Sequence, residues 1–397
     1  MWFCCCDTDR YYNVGRCNTS GEIEWAMTGT TDLNGASTAA AAGFVSNLFV
    51  DSSDNIYFLS SKDENGNNSS YGGDYIHKVN SSGARQWTID IKDDRPTDAT
   101  VFVSGPGGIK LFAGDSSGNT YIVWQGSGPK AWIVKYDSTG SASWTSNEIY
   151  NDISTNTGTT TEKQSVDLST VTEVGVETLQ LTSSGPILWF DVNSSGTRQF
   201  YFHGVEYDTS GSYSRTYTAF SVSSSPARAD MADSRGTVSK ALSDGSFYSG
   251  IEDYTQNELW KNDANELLEW SDTITSITGR QAIASQEGYG KLEPSTDDLW
   301  LPSSSGYTIY DEAAGTTSSL SSIGEPYRMD FKANGNILHS SSSTAPTGVT
   351  DNCREITTSG TVVRNYAWPS IATVREMSSN ECAVGGSAVI VPSSLFV

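Results

Sequence analysis

The sequence predicts an all-β chain, a seven-bladed β-propeller of four-stranded blades whose closing blade is shared by the N- and C-terminal strands. Three observations predict it: a composition suited to strands and turns, a turn signature that recurs seven times, and a second signature that interleaves with it. Of 397 residues, 60 are Ser, 41 Thr and 37 Gly, and aromatics reach 11 %. Ser, Thr and Gly disfavour helix and favour short strands joined by turns. A disordered acidic chain would be poor in aromatics, so this one folds.

The first signature reads strand, then Asx or Thr, two intervening residues and Gly, then a short strand that often carries Trp. It occurs as Asn18-Thr-Ser-Gly21 with Trp25, Asn80-Ser-Ser-Gly83 with Trp87, and Asp137-Ser-Thr-Gly140 with Trp144. Asp208-Thr-Ser-Gly211 follows with Tyr213 and Tyr217, then Asn262-Asp-Ala-Asn265 with Trp270. Glu312-Ala-Ala-Gly315 with Leu320 and Thr357-Thr-Ser-Gly360 with Val363 complete the set. The first side chain of such a turn accepts a backbone hydrogen bond, and the fourth residue takes positive φ, which Gly or Asn tolerates. An alternating strand precedes the turn, as in Tyr75–Val79 and Trp132–Tyr136.

The second signature is a turn followed by an apolar strand. Its instances are Asp51–Tyr57, Asp115–Tyr121, Ser183–Trp189, Ser243–Tyr248, Ser295–Trp300, Lys332–Leu338 and Ser378–Val384. Each turn of one kind lies between two of the other, which sets four strands per unit. The units run over about 44–91, 101–149, 178–220, 237–275, 290–322 and 327–367, and the closing blade joins 371–391 to 10–27. Sharing one blade between the chain ends removes two open sheet edges. Residues 1–397 therefore read as one propeller domain, although length alone would suggest two or three.

This placement gives two of the six cysteines a partner. Cys17 stands one residue before its turn, as Val79 does, and Cys382 stands where Ile56 does. These are neighbouring antiparallel positions, so Cys17 and Cys382 are expected to face each other across the closing seam, as a disulfide or a thiol pair. Small buried apolar side chains are the plainer alternative for all the cysteines, and adjacent Cys4, Cys5 and Cys6 lack zinc-knuckle spacing.

The Asp-x-x-Gly-x-x-x-Trp ends, as in Asp137 to Trp144 and in Asn80 to Trp87, resemble the repeats of PQQ-like and related bacterial propellers. The resemblance implies that Trp25, Trp87, Trp144 and Trp270 dock each blade on its neighbour and do not form a ligand cage. A quinone-dependent dehydrogenase would need a central pocket with bound calcium, and no matching acidic constellation is visible. A sialidase is also excluded, because its Asp box sets Trp closer to Asp than in Asp137–Trp144 and its site needs converging arginines. The Ser/Thr/Gly/Asn-rich, acidic and aromatic composition further resembles propeller proteins of tailed-bacteriophage virions.

Lys and Arg number 24 against 47 Asp and Glu, a formal charge of −23. Binding a polyanion needs a basic footprint, so neither nucleic acid nor an anionic membrane surface is an expected partner. No stretch is apolar enough for a membrane span, and Met1–Asp7 lacks the basic and apolar regions of a secretory signal. His77, His203 and His339 fall at different strand positions and are not expected to converge. Asp63–Asn67 carries its Gly too early for an EF-hand, and Ser104–Gly108 opens no helix that would cradle phosphate. No nucleophile elbow, phosphate loop or dinucleotide fingerprint occurs. The expectation is no catalytic site, no metal and no cofactor.

Both turn signatures share one face. The remaining connections, 28–43, 60–74, 92–108, 145–178, 190–202, 221–238 and 271–290, read as long and irregular and mark the other face for interaction. Tyr71, Tyr150, Tyr201 and Tyr289 in these connections are candidates for stacking on sugar rings, with loop packing as the alternative. Trp2 and Phe3 are the candidate assembly contact. The expected function is a non-enzymatic structural protein of a tailed-phage virion, assembled in the host cytoplasm. Its partners would be other virion proteins in multiple copies and a host-surface glycan. The alternative is a carbohydrate-binding or hydrolytic extracellular propeller.

Overall fold

A computed structural model of the chain describes residues 12–28, 48–60, 75–102, 111–128, 130–149, 171–194, 197–218, 236–252, 257–265, 267–273, 290–303, 305–321, 323, 326–341, 353–366, 373–376 and 382–387. The chain opens with β1 (Tyr12–Cys17) and β2 (Ile23–Thr28). The next sheet holds β3 (Leu48–Val50), β4 (Ile56–Ser60), β5 (Tyr75–Val79) and β6 (Arg85–Asp90), paired in that order. Then follow β7 (Ala99–Phe102), β8 (Phe112–Gly114), β9 (Thr120–Gly126), β10 (Ala131–Tyr136) and β11 (Ala142–Thr145). Both β7 and β8 pair with β9, so two segments complete the inner side of this sheet.

Four-stranded meanders continue the chain. They are β12 (Val171–Leu181), β13 (Pro186–Ser194), β14 (Thr197–Tyr207) and β15 (Tyr213–Thr218), then β16 (Gly236–Ala241), β17 (Phe247–Glu252), β18 (Asn257–Asn262) and β19 (Leu268–Thr273). After them come β20 (Lys291–Leu292), β21 (Leu299–Ser303), β22 (Gly306–Tyr310) and β23 (Thr317–Leu320), then β24 (Pro326–Phe331), β25 (Ile337–Ser341), β26 (Cys353–Ile356) and β27 (Val362–Tyr366). The last strands, β28 (Thr373–Glu376) and β29 (Cys382–Ser387), join the first two in the order β2-β1-β29-β28. Both chain ends thus build one sheet, and in the β1–β29 register Cys17 stands opposite Cys382.

Apolar side chains from each sheet interleave with those of the next. Val14 packs with Leu48, Ile56 and Phe58. Phe49 and Tyr57 meet Phe112 and Ile122, and Tyr121 and Val123 meet Leu179 and Leu188. Trp189 meets Phe247 and Trp260, Tyr248 meets Leu299 and Tyr310, and Trp300 and Tyr307 meet Met329 and Ile337. Burying each such side chain contributes about 1.5–3 kcal/mol, so the core is a series of slabs between sheets. Inner strand β24 lies beside β28, and β28 beside β3. The arrangement is an all-β propeller with four-stranded blades.

The structure corrects several expected connections. Residues 171–178, 190–194 and 197–202 are not irregular: they belong to β12, β13 and β14, which have 11, 9 and 11 residues. Val171-Thr-Glu-Val-Gly-Val176 and Phe200-Tyr-Phe-His203 carry the β-branched and aromatic residues that strands favour. Tyr201 is therefore a strand residue opposite Val192, not a loop residue. Residues 99–102 of the expected 92–108 connection likewise form β7.

Candidate functional site

The repeat concentrates its polar and charged chemistry at the junctions between blades, on the face that carries both turn signatures. Each turn of the first kind is closed by its leading side chain. Asn18 Oδ1 accepts from the Ser20 and Glu22 amides at 2.9 Å each. Asp208 Oδ1 accepts from the Ser210 amide at 2.8 Å and the Ser212 amide at 2.9 Å. The fourth residue is left-handed, φ +81° at Gly83, and a bulge follows in the ladder between Lys78 and Val79. Hydrogen bonds hold three turn carboxyls below the usual carboxylate range: Asp137 through the Thr139 hydroxyl first, Asp208 through the Ser210 hydroxyl, and Asp263 through the Leu267 amide.

At four of the turns this ordering aims the second carbonyl at the preceding blade. Trp25 Nε1 and Arg16 Nη1 both donate to Ser81 O, each at 2.9 Å. Trp87 Nε1 and Lys78 Nζ both donate to Ser138 O, at 3.2 and 3.1 Å. Trp144 Nε1 and Lys135 Nζ both donate to Thr209 O at 3.1 Å. The indole rings lie flat on the turn glycines of the neighbour: a Cβ at Gly83 would come within 2.9 Å of Trp25, and one at Gly211 within 2.6 Å of Trp144. The cations also sit over rings, Lys78 Nζ 5.1 Å from the Tyr57 centroid and Lys135 Nζ 5.5 Å from that of Tyr121.

Two turn frames differ from the sequence reading by one residue. At Asn262-Asp263 the cap is Asp263, whose Oδ1 accepts from the Asn265 and Leu267 amides at 2.8 Å each. At Asp311-Glu312 it is Asp311, which accepts from the Ala314 amide at 2.7 Å. Asn and Asp serve equally as caps, so identity alone left the first frame open, whereas at the second the shorter Asp311 side chain can close the turn and the longer Glu312 cannot. Seven residues after the Asp208 cap, Arg215 stands where four blades carry Trp, in place of the expected Tyr213 and Tyr217. It docks the blade in the same way, since Nη2 donates to Ala264 O at 2.7 Å while the guanidinium lies 4.3 Å from the Tyr217 ring centroid. Arg364 occupies that place before the Gly21 turn, rather than Val363.

Trp270 docks differently. It stacks on Tyr310 at 6.3 Å and meets the edge of Tyr248 at 5.8 Å, while nearby Lys261 pairs with Glu269 at 2.9 Å and with Glu312. Leu320 packs against Gly360. Toward the centre, Tyr57 Oη donates to Asp51 at 2.9 Å, and burial pushes its phenol far above the ordinary range. Gln180 clamps the Ala241 backbone, donating to its carbonyl at 2.8 Å and accepting from its amide at 2.9 Å.

The histidines lie in three different sheets. His77 Nδ1 meets Thr88 Oγ1 at 2.9 Å, and His339 Nδ1 meets Tyr307 Oη at 2.8 Å. Burial, with Arg354 beside it, lowers His339 to about 4. His203 stands opposite Phe190 and Thr218 in β14. Among the described residues no group of three His, Cys, Asp or Glu side chains could hold a metal, and no helix is long and apolar enough to cross a membrane. Tyr71, Tyr150 and Tyr289, the Tyr201 and Cys382 side chains, Trp2, Phe3, Cys4 to Cys6, Asp63–Asn67 and Ser104–Gly108 lie outside the described residues.

No family model and no curated protein matches the chain. Among solved structures, a protein of unknown function from Bacteroides caccae is 12 % identical, with 90 % of this chain and 93 % of that one covered at a TM-score of 0.34. A protein from Lactobacillus plantarum is 12 % identical over 89 % and 94 %, TM-score 0.44. A chain of the mitotic checkpoint complex is 10 % identical over 86 % of each, TM-score 0.47. At these values the likenesses carry no functional argument, and the propeller reading stands on the sheets and their junctions.

Proposed function

We propose that the chain is a non-enzymatic structural component of a tailed-phage virion, a tail- or fibre-associated propeller that acts through protein–protein contacts and host-surface glycan recognition. The observation that carries the reading is how the repeat uses its reactive side chains. Arg16, Lys78, Lys135, Arg215, Trp25, Trp87 and Trp144 are all committed to turn carbonyls of the next blade. A scaffold of this kind supports large contacts.

The seven sheets are read as seven blades of one closed ring with PQQ-like repeats, and Trp25, Trp87, Trp144 and Trp270 as its blade-docking residues. The resemblance of the composition to virion propellers supplies the setting. On this reading Trp2 and Phe3 contact neighbouring subunits, and Tyr71, Tyr150, Tyr201 and Tyr289 stack on sugars. Mass spectrometry of purified particles, with size measurement of the isolated chain, tests it. Finding the chain in particles at stoichiometric copy number supports the proposal. Its absence from particles overturns it, and specific glycan turnover by the isolated chain would instead favour the hydrolytic extracellular alternative.

A further inference from the structure

We propose that Cys17 and Cys382 form a redox-dependent bond that locks the two ends of the chain together in the closing sheet. The bond is independent of the virion reading. In the β1–β29 register Cys17 is directly opposite Cys382, with pairs running from Tyr12 opposite Ser387 through to the cysteines. Directly opposed residues of antiparallel strands have Cα atoms about 4.5 or 5.5 Å apart, depending on the hydrogen-bonding phase. Both separations fall within the span of about 4.4–6.8 Å that a disulfide bridges. Cys17 is a free thiol, and it is fully buried at 0 % exposure.

The position gives the bond its consequence. The closing sheet is where residues from the opposite ends of the 397-residue chain are paired, and among the described residues no covalent link otherwise joins β1 to β29. A cross-link there closes almost the whole chain into one loop, and loop-closure stabilisation grows with loop length. Burial of Cys17 keeps an oxidant away from the closed seam, so the bond forms while β1 and β29 are apart. Oxidised glutathione serves as the oxidant. One cysteine thiolate attacks it and releases a glutathione thiol, and the second thiolate attacks the mixed disulfide and releases the other. The protein's two thiols lose two electrons and two protons, which the glutathione disulfide gains.

The test refolds the full chain from urea in glutathione buffers of oxidising and reducing poise. The products are alkylated and digested without reduction, and their peptides are mapped. The expected result is a peptide joining Cys17 to Cys382, about 2 Da lighter than its two thiol halves, in the oxidising buffer only. The urea midpoint of the oxidised chain should exceed that of the reduced chain, and the gap should vanish in both C17S and C382S. Alkylation of both thiols after oxidising refolding overturns the proposal, as does pairing of Cys17 with another cysteine or a gap that survives in both variants. Should C17S not fold, C382S and the wild-type peptide map decide the question.

Discussion

The carbonyl shared by two donors at the Ser138 junction makes a quantitative prediction. Ser138 O accepts from Trp87 Nε1 at 3.2 Å and from Lys78 Nζ at 3.1 Å, so either donor alone still satisfies it. Trp87→Phe removes the indole N–H and part of the ring over Gly140, and should cost about 1–2 kcal/mol. Lys78→Met keeps most of the stem but loses a half-exposed charge, for about 0.5–1 kcal/mol. The double variant leaves the carbonyl without either donor in a part-buried position. An unmade hydrogen bond there costs about 1–3 kcal/mol, so the double variant should be worse than the sum of the singles by about 1 kcal/mol. Urea unfolding at fixed pH, with the slope held common to all four proteins, measures the cycle. Additivity within about 0.4 kcal/mol would mean that water replaces the lost donors, and the junction argument would fail.

Other expectations follow from the same geometry. Arg215→Ala removes the bond to Ala264 O and the contact with the Tyr217 ring, and should cost about 1–2 kcal/mol in urea unfolding. Gly83→Ala combines φ +81° with a Cβ 2.9 Å from Trp25, whereas Gly128→Ala, at φ +75°, meets nothing within 4 Å. Gly83→Ala should therefore cost about 2–4 kcal/mol and Gly128→Ala only about 1, as read from paired thermal melts. The pH dependence has two parts. His339 is lowered to about 4 from 6.5, so the unfolded chain takes up a proton first and stability falls as pH drops through that window. The turn carboxyls Asp137, Asp208 and Asp263 are depressed, so their stabilisation is present above about pH 4 and is lost below it. His339→Gln should flatten the upper part of the pH–stability curve and leave the lower part in place.

Much of the fold was legible because turn chemistry repeats. The Asx residue, the Gly at positive φ and the Trp seven residues after the cap recur together at Asn18, Asn80 and Asp137, and each member has one physical job. Legibility failed where one job could be done by either of two neighbours. Asn262 and Asp263 are equally good caps by type, and only the fixed distance to Trp270 separates them. It failed again at Arg215, since a guanidinium resembles an indole in nothing but a planar face and an N–H. The spacing from Asp208 carried that signal, and residue identity concealed it. Tyr201, a candidate for sugar stacking as a loop residue, instead pairs with Val192 between two strands, so polar residues near an aromatic do not by themselves mark a loop.

What stays constant at four of the junctions is the acceptor, and the donor is free to vary. Ser81, Ser138 and Thr209 carry a hydroxyl and Ala264 does not, yet each offers its carbonyl because the preceding cap fixes the turn. Backbone supplies this acceptor whatever the residue, so substitution at the position leaves the junction intact, while substitution of the cap rotates the carbonyl away. At Ser81, Ser138 and Thr209 donors meet it from two strands, one from the third of the blade and one from the fourth, which ties the sheet's outer half to its neighbour at a single atom. A blade can then lose one donor, as the Arg215 blade has lost its indole, and still dock. This redundancy lets the blades diverge in sequence without the repeat losing its geometry, and it places the demand for specific residues on the caps and glycines rather than on the tryptophans.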